Sequence, residues 1–242
     1  MAGHSKWANI KHRKQSVDAR KALIYAQLSK EISVAAKLGG SDPSYNFRLR
    51  NAIDRAKAVG MPNDNIQRAV DKFNSSKENF EEILYEGYGP SGVAILVEAA
   101  TNNRNRTAAE LRSIFNKYSG NLGESGCVSW GFKRYGIIFI PRNNELTEDI
   151  LLNTLEENEI ELEDFDFEND SDNYLILTSI DNFESSVDRT KHIYNNASGE
   201  FGYIANNIIK LNNSEISDKF ESLIELLENN DDVQRVFHNG TI

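Results

Sequence analysis

The 242-residue chain holds a single cysteine, Cys127, so it cannot close a disulfide within itself, and no second cysteine stands by to share a metal. Its four histidines, His4, His12, His192 and His238, have no metal-ligand spacing. Neither a metal nor a cofactor is expected. No apolar run approaches the roughly 18 residues that a membrane span needs. The N-terminus is charged but has no apolar stretch behind it, so no secretory leader is expected. Glycine stands at position 3 and not 2, which breaks the myristoylation pattern. These absences point to a reducing cytoplasm, with no membrane partner. No catalytic constellation can be assembled from the sequence either. The segment 156–172 has ten acids and no base, and paired carboxylates are unavoidable in such a run. The expectation is a protein that is not an enzyme and has no small-molecule substrate.

Acids are missing in one place. None occurs before Asp18. Residues 1–77 carry 15 Lys+Arg against 6 Asp+Glu, whereas residues 78–242 carry 12 against 31. The formal net charge of −10 therefore hides a basic head joined to an acidic body. The tip reads MAGHSKWANIKHRK, with Trp7 among Lys6, Lys11, His12, Arg13 and Lys14. Basic side chains pair with phosphates and an aromatic ring can stack on a base, so this segment is a candidate nucleic-acid contact. The competing reading packs Trp7 onto the head and leaves the charges solvated.

The head reads as three helices. Ile24, Leu28, Ile32 and Ala35 recur at helical spacing up to Gly39 and Gly40. Asp42-Pro43 looks like the cap and first turn of a second helix bearing Leu49, Ile53, Ala56 and Val59. Pro62 opens a third, with Ile66, Ala69, Val70 and Phe73. Arg48 and Arg55, seven apart, flank the apolar stripe of the second helix, as do Arg50 and Lys57. They read equally as a solvated face or as phosphate contacts.

The body changes period. Residues 92–100 form an apolar, β-branched run expected to be a buried strand. Thr107 with Glu110 fits a capping box, opening a helix with Ala108, Leu111, Phe115 and Tyr118 on one face. Residues 126–130 look like a strand. From Gly136 the order reads strand, helix, strand, strand, helix, with Thr147 as a cap and Leu146 and Leu151 as a hydrophobic staple. A strand near 203–211, a helix from 216 and a strand at 233–238 follow. The strand near 93, the helix at 107 and the strand near 128 make one β-α-β, and the last three elements make another. Together they predict a ferredoxin-like sheet interrupted by the insertion. The expected domains are 1–77, a basic helical head; 78–131 with 204–242, a discontinuous α+β domain; and 132–203, an inserted acidic α+β domain. The fold class is α+β and multi-domain, with both α+β domains ferredoxin-like.

Two further sites arise in the body. Asn102-Asn103-Arg104-Asn105-Arg106 precedes a helix, whose N-terminal N–H groups and positive dipole end suit a phosphate. Arg104 and Arg106 would join it, unless they pair with the acidic body. The stretch 87–92 matches G-x-G-x-x-G, but it precedes a strand where a dinucleotide site must follow one. Pro90 also removes a donor N–H, so a turn is expected there. The acidic segment 156–172 reads as a solvated edge that would keep its domain away from phosphate.

Four stretches closely resemble the YebC/PmpR family: MAGHSKWANIKHRK, FRLRNAIDRAKAVGMPNDNIQRAV, the run from YEGYGPSGVAILVEAATNNRNRTAAELRSIFNKYSGNLGESG, and DDVQRVFHN. The mitochondrial translational activator of cytochrome c oxidase belongs to the same family. The resemblance implies a helical N-terminal domain and two α+β domains, one inserted in the other. It further implies a regulator of gene expression, described for some members as a transcriptional regulator binding promoter DNA. For others the description is a ribosome-associated factor that aids synthesis of proline-rich stretches. The expected partner is therefore DNA or ribosomal RNA, and a protein–protein adaptor is a third reading. The sequence departs from the family pattern at Phe47 after Asn46, at Gly60 before Met61-Pro62, at Glu161-Leu162-Glu163-Asp164 and around Ala205-Asn206.

Overall fold

The computed structural model describes residues 17–75, 80–143, 145–166 and 173–242. The protein is α+β and multi-domain, with helices preceding and flanking antiparallel sheets. Among the described residues, Arg134–Ile204 form one compact unit, and residues 17–133 with Ala205–Ile242 form another.

The head is a bundle of α1 (Val17–Gly39), α2 (Phe47–Ala58) and α3 (Asn63–Ser75). Its core holds Leu28, Ile32, Ala35, Leu49, Ala56, Ile66 and Val70 of the predicted stripes, together with Ala52, whereas the predicted Val59 is 40% exposed. Each large aliphatic side chain fully buried there contributes about 1.5–3 kcal/mol. The second helix starts four residues later than Asp42-Pro43 suggests, because Asn46 is the cap. Its carboxamide oxygen accepts from Leu49 N at 3.0 Å, and its nitrogen donates to the carbonyls of Ala35 and Gly40 at 2.8 Å each. One buried side chain thus closes α1 and opens α2, leaving Asp42 to cap a tight turn through Ser44 N.

The body opens with β1 (Glu81–Tyr88), a strand the sequence reading missed. It forms an antiparallel hairpin with β2 (Ala94–Thr101) through a short 3-10 turn at Pro90–Gly92. Ser91 and Gly92 both have positive φ in that turn, so G-x-G-x-x-G is a turn as expected. Gly87 itself lies in β1, where an added Cβ would come within 2.7 Å of the Asn121 carbonyl oxygen. Next come α4 (Arg104–Lys117) and the two-residue β3 (Asn121–Leu122). The expected strand at 126–130 is instead a loop ending in a 3-10 turn at Ser129–Gly131.

The insertion runs through β4 (Phe132–Pro141), α5 (Glu148–Glu157), β5 (Asp164–Asp166), β6 (Asn173–Thr178), α6 (Phe183–Ile193) and β7 (Ser198–Ala205). Its sheet order, β5-β6-β4-β7, is ferredoxin-like. Thr147 caps α5 by accepting from Ile150 N, and Leu146 and Leu151 are both buried, as the staple requires. Gly136 is needed for contact: an added Cβ would lie 2.2 Å from the buried Phe183 ring. The strand expected at 203–211 splits between β7 and β8 (Ile209–Lys210).

The chain then completes the middle sheet with α7 (Ser214–Glu228) and β9 (Val233–His238), while β10 (Gly240–Thr241) pairs with β8. The middle sheet has the order β3-β1-β2-β9. Its strands join as a hairpin and two helical crossovers, in place of the two β-α-β units expected. The ferredoxin-like order belongs to the insertion. Val93, Ile95, Val97, Leu111, Phe115, Phe220, Leu223 and Leu227 form the middle core between the sheet and α4 and α7. Helix α1 packs against β2 and β9.

Candidate nucleic-acid interface

The tip residues Lys6, Trp7, Lys11, His12, Arg13 and Lys14 lie outside the described residues. Of the other candidates, Arg48 is held by both carboxylate oxygens of Glu82. That hydrogen bond pushes its guanidinium pKa up against the opposing effect of burial. Arg55 donates to both oxygens of Glu31 at 2.9 and 3.0 Å. Both arginines are thus engaged by acids in ion pairs, an outcome outside the two readings of the sequence. Arg104 is exposed at the start of α4, where its carbonyl accepts from the Tyr85 hydroxyl at 3.0 Å. Arg106 donates to Asp232 at 2.6 Å, the acidic-body pairing that stood against the phosphate reading.

The capping box also resolves differently. Helix α4 starts at Arg104 with Asn103 as the cap, accepting from Arg106 N at 3.1 Å. Thr107 is fully buried in the first turn, its hydroxyl 2.6 Å from Asp232 Oδ2. Asparagine caps at least as well as threonine, and the buried carboxylate claims the threonine hydroxyl.

Asp232 is the meeting point of the head and the middle sheet. It is 5% exposed and sits just before β9. Lys30 of α1 donates to its Oδ1 and to the Asp231 carbonyl, each at 2.9 Å. Arg106, Thr107 and Thr101 converge on Oδ2. Burial by itself would raise the Asp232 pKa. The hydrogen bonds from Thr107, Arg106 and Lys30 outweigh it and hold the carboxyl well below its usual range.

Beside Asp232 opens a cleft of ≈ 510 Å³. Lys30 from α1, Arg68 and Lys72 from α3, and Arg106 from α4 line it, with Asp232 the one acid among the described lining residues. Asn65 and Asn102 add amide donors, and Phe80 adds an aromatic ring 5.6 Å from Lys30 Nζ. The loop Asn102–Arg106 is thereby brought against basic side chains of the head. Arg104 is not among the lining residues. Arg68 and Lys72 escaped the sequence reading, although their i, i+4 spacing on the polar face of α3 was a visible signal. Asp232 carried no such signal, because its partners stand at positions 30, 101, 106 and 107.

A second buried carboxylate organises the far end of β1. Glu86, 3% exposed, accepts backbone N–H bonds from Gly126, Val128 and Ser129 at 2.7–2.8 Å. Burial would raise its pKa, but these three donors hold it below the ordinary value. The clamped loop presents Trp130, 74% exposed, whose indole N–H donates to the Cys127 carbonyl. Burial pushes the Cys127 thiol pKa up, which favours the protonated thiol at neutral pH.

Among the described residues, no helix is long and apolar enough to cross a membrane, and no group of three His, Cys, Asp or Glu is placed to hold a metal.

Comparison with known proteins matches two family models. Residues 5–76 match the TACO1/YebC protein N-terminal domain, and residues 80–240 match the TACO1/YebC second and third domain. A "probable transcriptional regulatory protein" of Thermoanaerobacter pseudethanolicus is 45% identical over 245 residues, covering 100% of this chain and 98% of its own length. One of the same name from Crocosphaera subtropica is 49% identical over 244 residues, covering 99% and 94%. In structure, a conserved hypothetical protein of Aquifex aeolicus aligns with a TM-score of 0.84 at 38% identity, covering 98% of this chain and 96% of that one.

Proposed function

The chain belongs to the TACO1/YebC family, and from that premise we propose that it is a nucleic-acid-binding regulator of gene expression, acting in transcription as its relatives are named. The observation that carries the proposal is the cleft in which Lys30, Arg68, Lys72 and Arg106 gather around Asp232. Four cations from three helices in one concavity raise the local potential for phosphate far more than the same charges scattered over a surface. The tip, with Lys6, Lys11, His12, Arg13, Lys14 and Trp7, supplies a further contact, and exposed Arg104 extends the basic surface along α4. Residues 132–203 hold 17 acids against 5 Lys+Arg. In the division of labour we propose, the domains are 1–77, 78–131 with 204–242, and 132–203. The third is repelled by phosphate and biases how the first meets it. The place of action is the cytoplasm. Among the described residues no base-reading module is present, so affinity comes mainly from the phosphate backbone and sequence preference is weak.

Crosslinking in cells followed by sequencing of the bound nucleic acid tests this reading. Discrete promoter DNA is the expected recovery. Dominant ribosomal RNA moves the same binding activity from transcription to translation. Recovery of neither overturns the proposal and leaves a protein–protein adaptor.

A further inference from the structure

We propose that the cleft beside Asp232 binds a single nucleotide unit, with its phosphate on Arg68, Lys72 and Arg106 and its base against Phe80. This rests on the nucleic-acid reading above and narrows it to unpaired chains. The cleft volume of ≈ 510 Å³ lies within the roughly 300–1,000 Å³ of sites that enclose small molecules. Its lining has the two halves that a nucleotide requires: a cationic wall from α3 and α4, and an aromatic ring beside Lys30. Asn65 and Asn102 supply amide groups able to bond a base edge or a ribose hydroxyl. A base can reach Phe80 only when it is out of a duplex stack, so a single strand fits and an intact duplex does not.

Asp232 shapes this site without closing it. The carboxylate holds Lys30 and Arg106 in fixed positions at the back of the cleft. Arg106 is still 47% exposed in its side chain, and Arg68 and Lys72 are exposed on α3, so a phosphate entering the cleft can reach all three. The anchored pair sets the geometry and the α3 pair supplies the outer grip. A free nucleotide and a nucleotide within a strand share this chemistry and differ only in the continuing backbone.

Fluorescence anisotropy on the full chain tests the proposal. The probes are a labelled single-stranded 12-mer and the same sequence as a duplex, with adenosine monophosphate and inorganic phosphate as competitors. The wild type is expected to prefer the single strand, and adenosine monophosphate to compete better than phosphate. The double variant R68E/K72E, both positions exposed, is expected to lose about tenfold or more in single-strand affinity. Its log–log salt slope should fall by about 1.4, two contacts at roughly 0.7 each. Phe80→Ala should weaken the single strand and leave the duplex unaffected, and thermal melts confirm that each variant is folded. Saturable binding of adenosine monophosphate without strand binding assigns the cleft to a free nucleotide. Unchanged single-strand affinity in R68E/K72E overturns the proposal. If changing Lys11, Arg13 and Lys14 to Ala then abolishes binding, the nucleic-acid reading stands without the cleft. A wild type that binds no nucleic acid of either form overturns both.

Discussion

Asp232 and Glu86 are both buried carboxylates of the middle domain, and they solve the same problem with different partners. Glu86 is satisfied by three backbone amides of a loop 40–43 residues away. Asp232 is satisfied by two hydroxyls and two cations, one of them from the head. Backbone amides are fixed by the chain and cannot be drawn elsewhere. Lysine and arginine side chains can turn toward another anion. Glu86 is therefore an internal rivet that gives a loop its shape, whereas Asp232 is a joint whose cations also face a cleft open to ligand.

The largest effect expected is on the rivet. Glu86→Ala leaves one buried and two part-buried N–H groups without their acceptor, at about 1–3 kcal/mol each where water cannot replace the carboxylate. Since part of the loop reaches solvent, a loss of about 3–5 kcal/mol is expected in urea unfolding, with faster hydrogen exchange across residues 123–131. A loss under about 1 kcal/mol would mean the loop holds its shape by packing alone, and the contrast with Asp232 would collapse.

Next comes the joint. Asp232→Ala strands Lys30 of the head in a half-buried site against the middle sheet, a change of the kind that costs about 3–5 kcal/mol when a buried pair is broken. Because Arg106, the other cation on Asp232, is 47% exposed, about 2–3 kcal/mol is expected here. The distinguishing readout is regional. Hydrogen exchange should rise across the interface of α1 with β9 while residues 123–131 stay protected. Uniform loss of protection would show that the head does not depend on this corner.

Acid titration compares the two in one experiment. Both carboxyls have folded-state pKa values below the unfolded ranges of about 3.9 for Asp and 4.3 for Glu. The unfolded chain therefore takes up these protons first, as pH falls. The stability these groups contribute is complete above about pH 5 and is lost as pH drops through 4 and below. Asp232→Asn and Glu86→Gln should each start less stable at pH 7 and lose less between pH 5 and 3 than the wild type. A variant curve parallel to the wild type would remove that carboxyl from the acid response.

Much of this arrangement was legible beforehand, and its limits are physical. The helical head, α5 with its Thr147 cap and Leu146–Leu151 staple, α6, α7 and β9 follow from local periodicity and capping. Strand β1 was hidden because Glu81, Glu82 and Glu86 break its apolar alternation, and Glu86 is buried only because a loop about 40 residues later wraps its carboxylate. Residues 126–130 are β-branched and aromatic enough to read as a strand, yet the amides of Gly126, Val128 and Ser129 face Glu86 in place of a neighbouring strand. Arg48, Arg55 and Arg106 were visible as cations, but the acids that hold them stand at positions 82, 31 and 232. Those pairings exist only after folding, so charge counts overstated how much of the head is open to phosphate.

The smallest effect separates two of the ties between head and middle domain. Besides the Lys30–Asp232 joint there is the Arg48–Glu82 pair, whose side chains are 39% and 43% exposed. An exposed pair, even one with two hydrogen bonds, gains little over water and is screened by salt, so about 0.2–1 kcal/mol is expected from Arg48→Ala. The effect should shrink further at 0.5 M salt, where the Debye length is well under the roughly 8 Å of physiological ionic strength. The Asp232→Ala loss should persist there, because its carboxylate is shielded from solvent ions. If Arg48→Ala instead matched Asp232→Ala in size and resisted salt, Arg48–Glu82 would be the principal tie. The corner at Asp232 would then serve to place Lys30 and Arg106 in the cleft and not to hold the head.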